Sequence, residues 1–435
     1  MKVFPRAELP RSYKDELQEL NGEVHMNNTK PDIIEENKEG EYHITTFGAP
    51  AAHTLKFKQG GLRHGEEKLA EKQKQLKTLL KSKRNDKETT GYLLSLDVFE
   101  AQMQLARRRD ICYCQILPAI TTSFVKILQL NRSKPHVLKQ YAEVGFLCQF
   151  ESLVSTHGSE IGMLADYDGS VRGIASQVSF VLCDEGEDLQ MEFLEKNDDD
   201  LQPPLSPSPL SSDEFNLITA PQSFYDRCHL RITLPIPSDL LKDVSGTIQG
   251  PVQVHPLLFS QGINEQQSIA NKIGDTSLQE NINKENGVLL KKYYQSYEDW
   301  CNSNHIPLNP KISSDLNSIL STIKHSKREK NLQILATTAD IVRMMNGGRL
   351  TSCKSAKDRT SMSVTWEQAR QLANHHNLHY DAFRDAMSVM RSSGVRRENA
   401  FKNIGKNKFA FNSFQLKMIP EIYRAPKGSG GAEVT

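Results

Sequence analysis

The sequence predicts a helix-rich α/β fold with an anion-binding loop between a strand and a helix. Three observations predict it. Apolar residues recur at helical spacing over most of the chain after residue 60, while strand-like runs are few. The octet Cys353-Lys-Ser-Ala-Lys-Asp-Arg-Thr360 follows a short extended run and precedes a helical pattern free of proline and glycine.

In chain order, helical patterns cover Gly61 to Asp86, Leu94 to Arg109, Ala119 to Leu130, Leu278 to Cys301 and Ile312 to Ile323. They continue over Asn331 to Met345, Thr360 to His376 and Asp381 to Ser392. Strand-like runs are Val171 to Cys183, His229 to Pro235 and Val252 to Leu258, with a pair of short strands near Phe146 to Val154. Ile111 to Leu130 is the most apolar stretch, but Gln115, Pro118, Thr121 and Lys126 interrupt it. It reads as a buried helix pair, so no transmembrane segment is expected. Before the octet, Asn331 to Met345 places Leu332, Leu335, Ala339, Val342 and Met345 on one face, and Asn346-Gly347-Gly348 supplies C-cap chemistry. Arg349 to Ser352 is the extended approach. After the octet, Met362, Val364, Trp366, Ala369, Leu372 and Ala373 are the apolar members of the next helix.

The 435-residue chain is almost neutral, with 54 Lys plus Arg against 53 Asp plus Glu, yet the charge is unevenly spread. Ile341 to Thr435 holds 16 basic and 7 acidic residues, a net of +9; Asp184 to Asp200 holds 9 acids and one lysine, a net of −8. A basic region suits an anionic substrate or an acidic membrane surface. No zinc finger, aromatic RNA-binding signature or helix-turn-helix pattern accompanies it, so no nucleic-acid partner is expected. Seven irregularly spaced cysteines and no signal peptide at the start point to a reducing compartment. Cys112 and Cys114 lack a second pair at zinc-site spacing and read as core residues. His375, His376 and His379 include an i, i+4 pair but no obvious further ligand, and read as a solvated helix end; no metal is expected.

In a tight loop leading into a helix, the spacing of Cys353 and Arg359 lets a thiolate and a guanidinium converge on one phosphate. Backbone N–H groups and the helix N-terminus add donors. A field of that kind favours the thiolate, which is the nucleophilic form. Cys353 is then the group that attacks phosphorus, and Arg359 the fork that grips the equatorial oxygens. Thr360 can bond the sulfur and ease its departure. Ser355, beside Ala356, either donates to the phosphate or fills the turn. Lys354 and Lys357 suit a substrate carrying several phosphates on one ring; the alternative is that both face solvent. A leaving alkoxide needs a proton. Asp358 is the nearest donor, or else a loop-stiffening acceptor for backbone amides, and Glu265 is a more distant rival. This is the chemistry of a cysteine-based phosphatase that uses no cofactor.

The octet resembles the active-site loop of the inositol polyphosphate 4-phosphatases, and is similar to a loop in secreted bacterial phosphoinositide phosphatases. Phe150-Glu-Ser-Leu-Val-Ser-Thr156, Gly262-Ile-Asn-Glu-Gln-Gln267, Gly394-Val-Arg-Arg-Glu-Asn399 and Phe409-Ala-Phe-Asn-Ser-Phe-Gln-Leu-Lys417 also resemble segments of that family, as does Arg109-Asp-Ile-Cys-Tyr-Cys114 less distinctively. The likeness runs from about Leu96 to Pro426. It implies removal of the 4-phosphate from phosphatidylinositol 3,4-bisphosphate, giving the 3-phosphate, with soluble inositol polyphosphates as further substrates. Asp358 lies where the similar myotubularin-like lipid phosphatases keep an acid. Members of the family carry an N-terminal lipid-binding C2 module, whereas the residues before the likeness do not read as an eight-stranded sandwich.

The expected organisation is a flexible N-terminal segment over 1–57, a phosphatase unit over 58–425 and a tail over 426–435. Within the unit, 58–183 is helical, 184–214 is a disordered acidic and Pro/Ser-rich insertion, and 215–425 is catalytic. Ser206 and Ser208 precede prolines and are either phosphorylation sites or part of an inert linker. Lys324 to Lys330 either contacts acidic headgroups or is a solvated connection. The expected location is cytoplasmic and peripheral to membranes, plasma membrane or endosome, with a phosphoinositide substrate at an acidic surface and protein partners open. Two other functions fit the same loop: a protein or dual-specificity phosphatase, and a phosphoinositide-binding adaptor without catalysis.

Overall fold

The computed structural model describes residues 43–57, 60–81, 87–175, 177–187, 190–195, 228–326 and 328–431. Its centre is a seven-stranded sheet in the order β1-β7-β2-β6-β3-β5-β4. The strands are β1 (Ile44–Gly48), β2 (Phe146–Ser152), β3 (Val178–Asp184), β4 (Gln190–Glu195), β5 (Cys228–Ile236), β6 (Val252–Ser260) and β7 (Gly348–Cys353). β1, β7, β2 and β6 are mutually parallel. β3 meets β6 antiparallel, β5 lies parallel to β3, and β4 is antiparallel to β5.

Helices cover both faces, which is why β2 and β7 are buried along their whole length. Successive strand side chains point to opposite sides. Phe146, Cys148, Phe150 and Leu350 therefore join one core, with residues of α2 (Lys87–Asn131), α3 (Pro135–Glu143) and α4 (Glu160–Ile174). Leu147 and Cys353 join the opposite core, with α7 (Ser277–Ser303), α8 (Pro310–Lys324) and α9 (Gln333–Met344). The other helices are α1 (Leu62–Lys81), α5 (Ser238–Val244), α6 (Glu265–Ile273), α10 (Asp358–His375), α11 (Tyr380–Ser393), α12 (Val395–Ile404) and α13 (Ser413–Met418). The architecture is mixed α/β and helix-rich, as the sequence predicts.

Several elements differ from expectation. The two helices read over Leu94 to Arg109 and Ala119 to Leu130 are parts of one 45-residue helix, α2, that runs through Pro118. Buried Tyr113, Ile116 and Leu117 before the proline, and Ala119, Ile120 and Phe124 after it, pack into the same core and hold both halves in line. An 18-residue window of α2 is apolar enough to cross a membrane by composition; here that apolar character serves the core. The run Val171 to Cys183 is not one strand: Val171 and Ile174 belong to the buried face of α4, and β3 starts at Val178. The pair of strands read near Phe146 to Val154 is the single strand β2.

Part of the stretch expected to be flexible over 1–57 is ordered, because β1 pairs with β7 from Ile44↔Arg349 to Gly48↔Cys353. Within the stretch expected to be a disordered insertion over 184–214, Gln190–Glu195 forms β4 on the edge of β5. The remainder of that insertion, including Ser206 and Ser208, lies outside the described residues, as do residues 1–42.

Candidate active site

In an open sheet, ligands bind where the carboxyl ends of parallel strands feed into loops and helix N-termini. Three adjacent parallel strands do so here. β2 leads through residues 153–159 into α4, β6 through 261–264 into α6, and β7 through 354–357 into α10. Backbone bonds join the three exits: Leu153 N–H donates to Ser352 O at 2.9 Å, and Gln261 N–H donates to Ser152 O at 2.9 Å.

Cys353 is the last residue of β7 and is 2% exposed. The loop turns sharply after it. Ala356 has φ 50°, a left-handed conformation that non-glycine residues seldom take, and Lys357 (φ −110°, ψ −105°) delivers the chain into α10. This turn brings Thr360 back over the thiol, and its Oγ1 lies 3.1 Å from Cys353 Sγ. Thr360 lies in the first turn of α10, whose leading N–H groups have no acceptor within the helix. Lys354 and Ser355 are exposed, Ala356 and Lys357 are partly buried, and the side chains of Asp358 and Arg359 are largely buried.

Arg359 turns toward β2 and α4. Its Nη1 donates to Leu153 O at 2.8 Å and to Glu160 Oε2 at 2.9 Å, and its Nη2 donates to Glu160 Oε1 at 2.6 Å. Glu160 Oε2 also accepts Ser155 N–H at 2.8 Å. Burial alone would push the Glu160 carboxyl up, but Arg359 and the Ser155 amide outweigh it and hold the group below its usual range. Burial works against the Arg359 cation, yet Glu160, with smaller contributions from Cys353 and Glu265, raises its proton affinity. Asp358 accepts from Arg396 Nε at 2.7 Å, tying α12 to the loop. The first turn of α6 is pinned to the loop after β2, where Thr156 N–H donates to Gln267 Oε1 at 3.0 Å. Gln415 Nε2 donates to Glu265 Oε1 at 2.9 Å, bringing α13 against α6.

The INPP4A C-terminal domain family matches residues 82–194 and 211–423, which include every loop just described. The chain belongs to that family. Human inositol polyphosphate 4-phosphatase type II is 36% identical over 334 residues, covering 76% of this chain and 33% of its own. The rat type II inositol 3,4-bisphosphate 4-phosphatase is 35% identical over 334 residues, with the same coverage. The human phosphatidylinositol 3,4,5-trisphosphate-dependent Rac exchanger 2 protein is 24% identical over 362 residues, covering 72% of this chain and 21% of its own. The chain spans about a third of the length of these phosphatases.

Within this INPP4A C-terminal domain, a buried ionic cluster carries α10. Arg349 of β7 pairs with Glu151 of β2, and its Nη1 lies 2.9 Å from Glu367 Oε2 on α10. Arg343 and Arg370 also contact Glu367, and both reach Asp340 of α9. Ser363, one turn into α10 from the octet, donates to Glu151. Three arginines thus meet three carboxylates, so the buried charges are compensated as burial demands. Burial would raise Glu367, but Arg349, Arg343 and Arg370 lower it to about 2. The cluster fixes how far α10 projects along β7, and so where its first turn meets Cys353.

Five of the six resembling segments, residues 150–156, 262–267, 353–360, 394–399 and 409–417, come together around the loop or its immediate supports, whereas Arg109–Cys114 lies in α2, where Arg109 pairs with Glu66. Glu160 was not legible in the sequence. It lies 199 positions from Arg359, and only its place at the start of a helix after a strand marks it. The partnership of Asp358 with Arg396, not with backbone amides, was equally hidden. Lys330 is turned inward: its Nζ donates to Ile263 O, Asn264 O and Met418 O at 3.0, 2.8 and 2.8 Å, and burial lowers it to about 8. His379 caps α11, accepting from Asp381 N–H.

Proposed function

We propose that this chain is a phosphoinositide phosphatase that removes the 4-phosphate of phosphatidylinositol 3,4-bisphosphate through a phosphocysteine. The single observation that carries the reading is the convergence of Cys353 Sγ, Thr360 Oγ1 and the first turn of α10 within one tight loop, with Arg359 locked beside it by Glu160. The family relationship supports the choice of ring position. In this reading the Cys353 thiolate attacks phosphorus, an S–P bond forms and the bond from phosphorus to the ring oxygen breaks. Arg359 and the helix amides hold the equatorial oxygens, and the leaving oxygen takes a proton from Asp358, once Arg396 yields its bond to that carboxyl. Water then attacks phosphorus, Asp358 recovers the proton, and Thr360 steadies the departing thiolate. Lys354 and Lys357, with the backbone of Ser355 and Ala356, meet the remaining phosphate on the ring.

The test is phosphate release from short-chain phosphoinositides without added metal, beside Cys353→Ser. Release from the 3,4-bisphosphate that needs Cys353 and leaves the 3-phosphate supports the reading. Comparable turnover of phosphotyrosine peptides would move it to a protein phosphatase. The likeness to the Rac exchanger favours one second reading, a phosphoinositide-binding module without catalysis. Headgroup binding by the folded chain with no release from any isomer would select it.

A further inference from the structure

We infer that the lobe formed by residues 394–417 is the face by which this domain docks on an anionic lipid surface, presenting the Cys353 loop to membrane-borne substrate. The choice of a lipid bilayer rests on the phosphoinositide reading above. The lobe comprises α12, the connection after it, and α13. It holds six basic residues (Arg396, Arg397, Lys402, Lys406, Lys408 and Lys417) against the single acid Glu398, a net of +5.

Its four phenylalanines divide sharply. Phe409 and Phe411 are 1% and 6% exposed and pack in the core that contains Cys353. Phe401 and Phe414 are 59% and 62% exposed. A lone exposed phenylalanine is unremarkable, but two beside exposed lysines combine an apolar wedge with a cationic rim. Lys402 follows Phe401 directly, and Lys417 lies one turn after Phe414; both lysines are exposed. That pairing matches the boundary between acyl chains and acidic headgroups, where phenylalanine enters and lysine stays in the headgroup layer.

The lobe is also joined to the catalytic loop. Arg396, five residues before Phe401, donates to Asp358, and Gln415, next to Phe414, donates to Glu265. Buried Phe409 and Phe411 anchor the middle of the lobe in the core that contains Cys353. Arg397 further braces it, with Nε and Nη2 donating to Asn407 Oδ1 and O at 2.9 and 2.8 Å. A surface held this rigidly to the loop sets the distance between bilayer and nucleophile.

The test sediments the full chain with phosphatidylcholine vesicles, with and without phosphatidylserine, for the wild type, Phe401→Ser/Phe414→Ser and Lys402→Ala/Lys417→Ala. Circular dichroism verifies folding. The expected result is serine-lipid-dependent, salt-sensitive binding that falls about 25-fold in the lysine variant, at about five-fold per lysine, and at least about ten-fold in the phenylalanine variant. Turnover of monomeric short-chain substrate should be unchanged in both, while turnover on vesicles falls with binding. Vesicle binding equal to wild type in both variants overturns the proposal. So does failure of the wild type to bind, or self-association that the phenylalanine variant abolishes, which would assign the patch to a second copy. If the chain releases no phosphate from any substrate, the catalytic reading fails while sedimentation still decides the docking face.

Discussion

Glu160→Gln isolates the support that no local pattern reveals. The carboxylate accepts two bonds from Arg359, one from Ser155 N–H and a long one from Asn264 Nδ2, and the pair is nearly enclosed, at 11% and 7% side-chain exposure. The amide keeps one acceptor oxygen but turns an NH2 toward groups that are themselves donors. Removing one partner of a buried pair costs about 3–5 kcal/mol, and the retained acceptor places this substitution near the lower end, about 3 kcal/mol. A guanidinium freed to shift by about an ångström would lower kcat about a hundred-fold. Urea unfolding measures the first quantity and short-chain substrate turnover the second. The folded carboxyl titrates below its unfolded value, so the stability gap between wild type and variant is complete above about pH 4.5 and closes as pH falls through the folded value. The double variant Glu160→Leu/Arg359→Met should recover most of the stability, because no charge remains buried, and none of the turnover. If Glu160→Gln unfolds within about 0.5 kcal/mol of wild type and keeps half its turnover, the pair does not position Arg359 and the reasoning fails.

Other perturbations probe separate parts of the site. Thr360→Val deletes the 3.1 Å bond to Cys353 Sγ while keeping the volume, and should slow breakdown of the phosphoenzyme about five-fold at about 1 kcal/mol; a burst followed by slower steady release is the readout. Glu367→Gln should flatten acid unfolding. With a folded value of about 2 against 4.5, Glu367 contributes fully above pH 4.5 and loses its contribution between there and about 2, so stability compared at pH 3 and pH 6 tests it. Ala356→Gly relieves a φ of 50°, worth about 1–2 kcal/mol, against about 0.4–1 kcal/mol of added freedom in the unfolded chain. Denaturation should therefore show a gain of roughly 0.5 kcal/mol, and a loss above about 1 kcal/mol would contradict the left-handed turn.

What the sequence disclosed and what it withheld divide along chain separation. The strand, loop and helix around Cys353 are one continuous stretch whose period changes from 2 to 3.6, so Gly348–Cys353 and Asp358–His375 were legible within two residues. The long apolar-faced helices α7, α8 and α9 were legible for the same reason. Pairings such as Arg359 with Glu160, Arg349 with Glu151 and Asp358 with Arg396 join segments 38 to 199 positions apart and carry no periodic mark. Glu151 illustrates the difficulty: a carboxylate inside an apolar run looks like the end of a strand until Arg349 and Ser363 are seen to satisfy it. Proline misled in the opposite direction, since packing on both sides of Pro118 overrides the break it would otherwise impose on α2. The acidic run after Asp184 concealed β4, because ladder bonds to β5 depend on register more than on composition.

β1 has a practical meaning for anyone trimming this protein. The family match begins at residue 82, yet Ile44–Gly48 covers the outer margin of β7, and Ala49 N–H donates to the carbonyl of Cys353 itself at 2.9 Å. A fragment cut at the homology boundary would leave β7, which ends in Cys353, as a bare terminal strand with an unanswered row of amides and carbonyls. Such a margin recruits other chains. Expression from residue 82 should yield aggregates or an unseated Cys353 loop, whereas a start upstream of His43 preserves the seal, so the smallest intact folded body is larger than its recognisable homology.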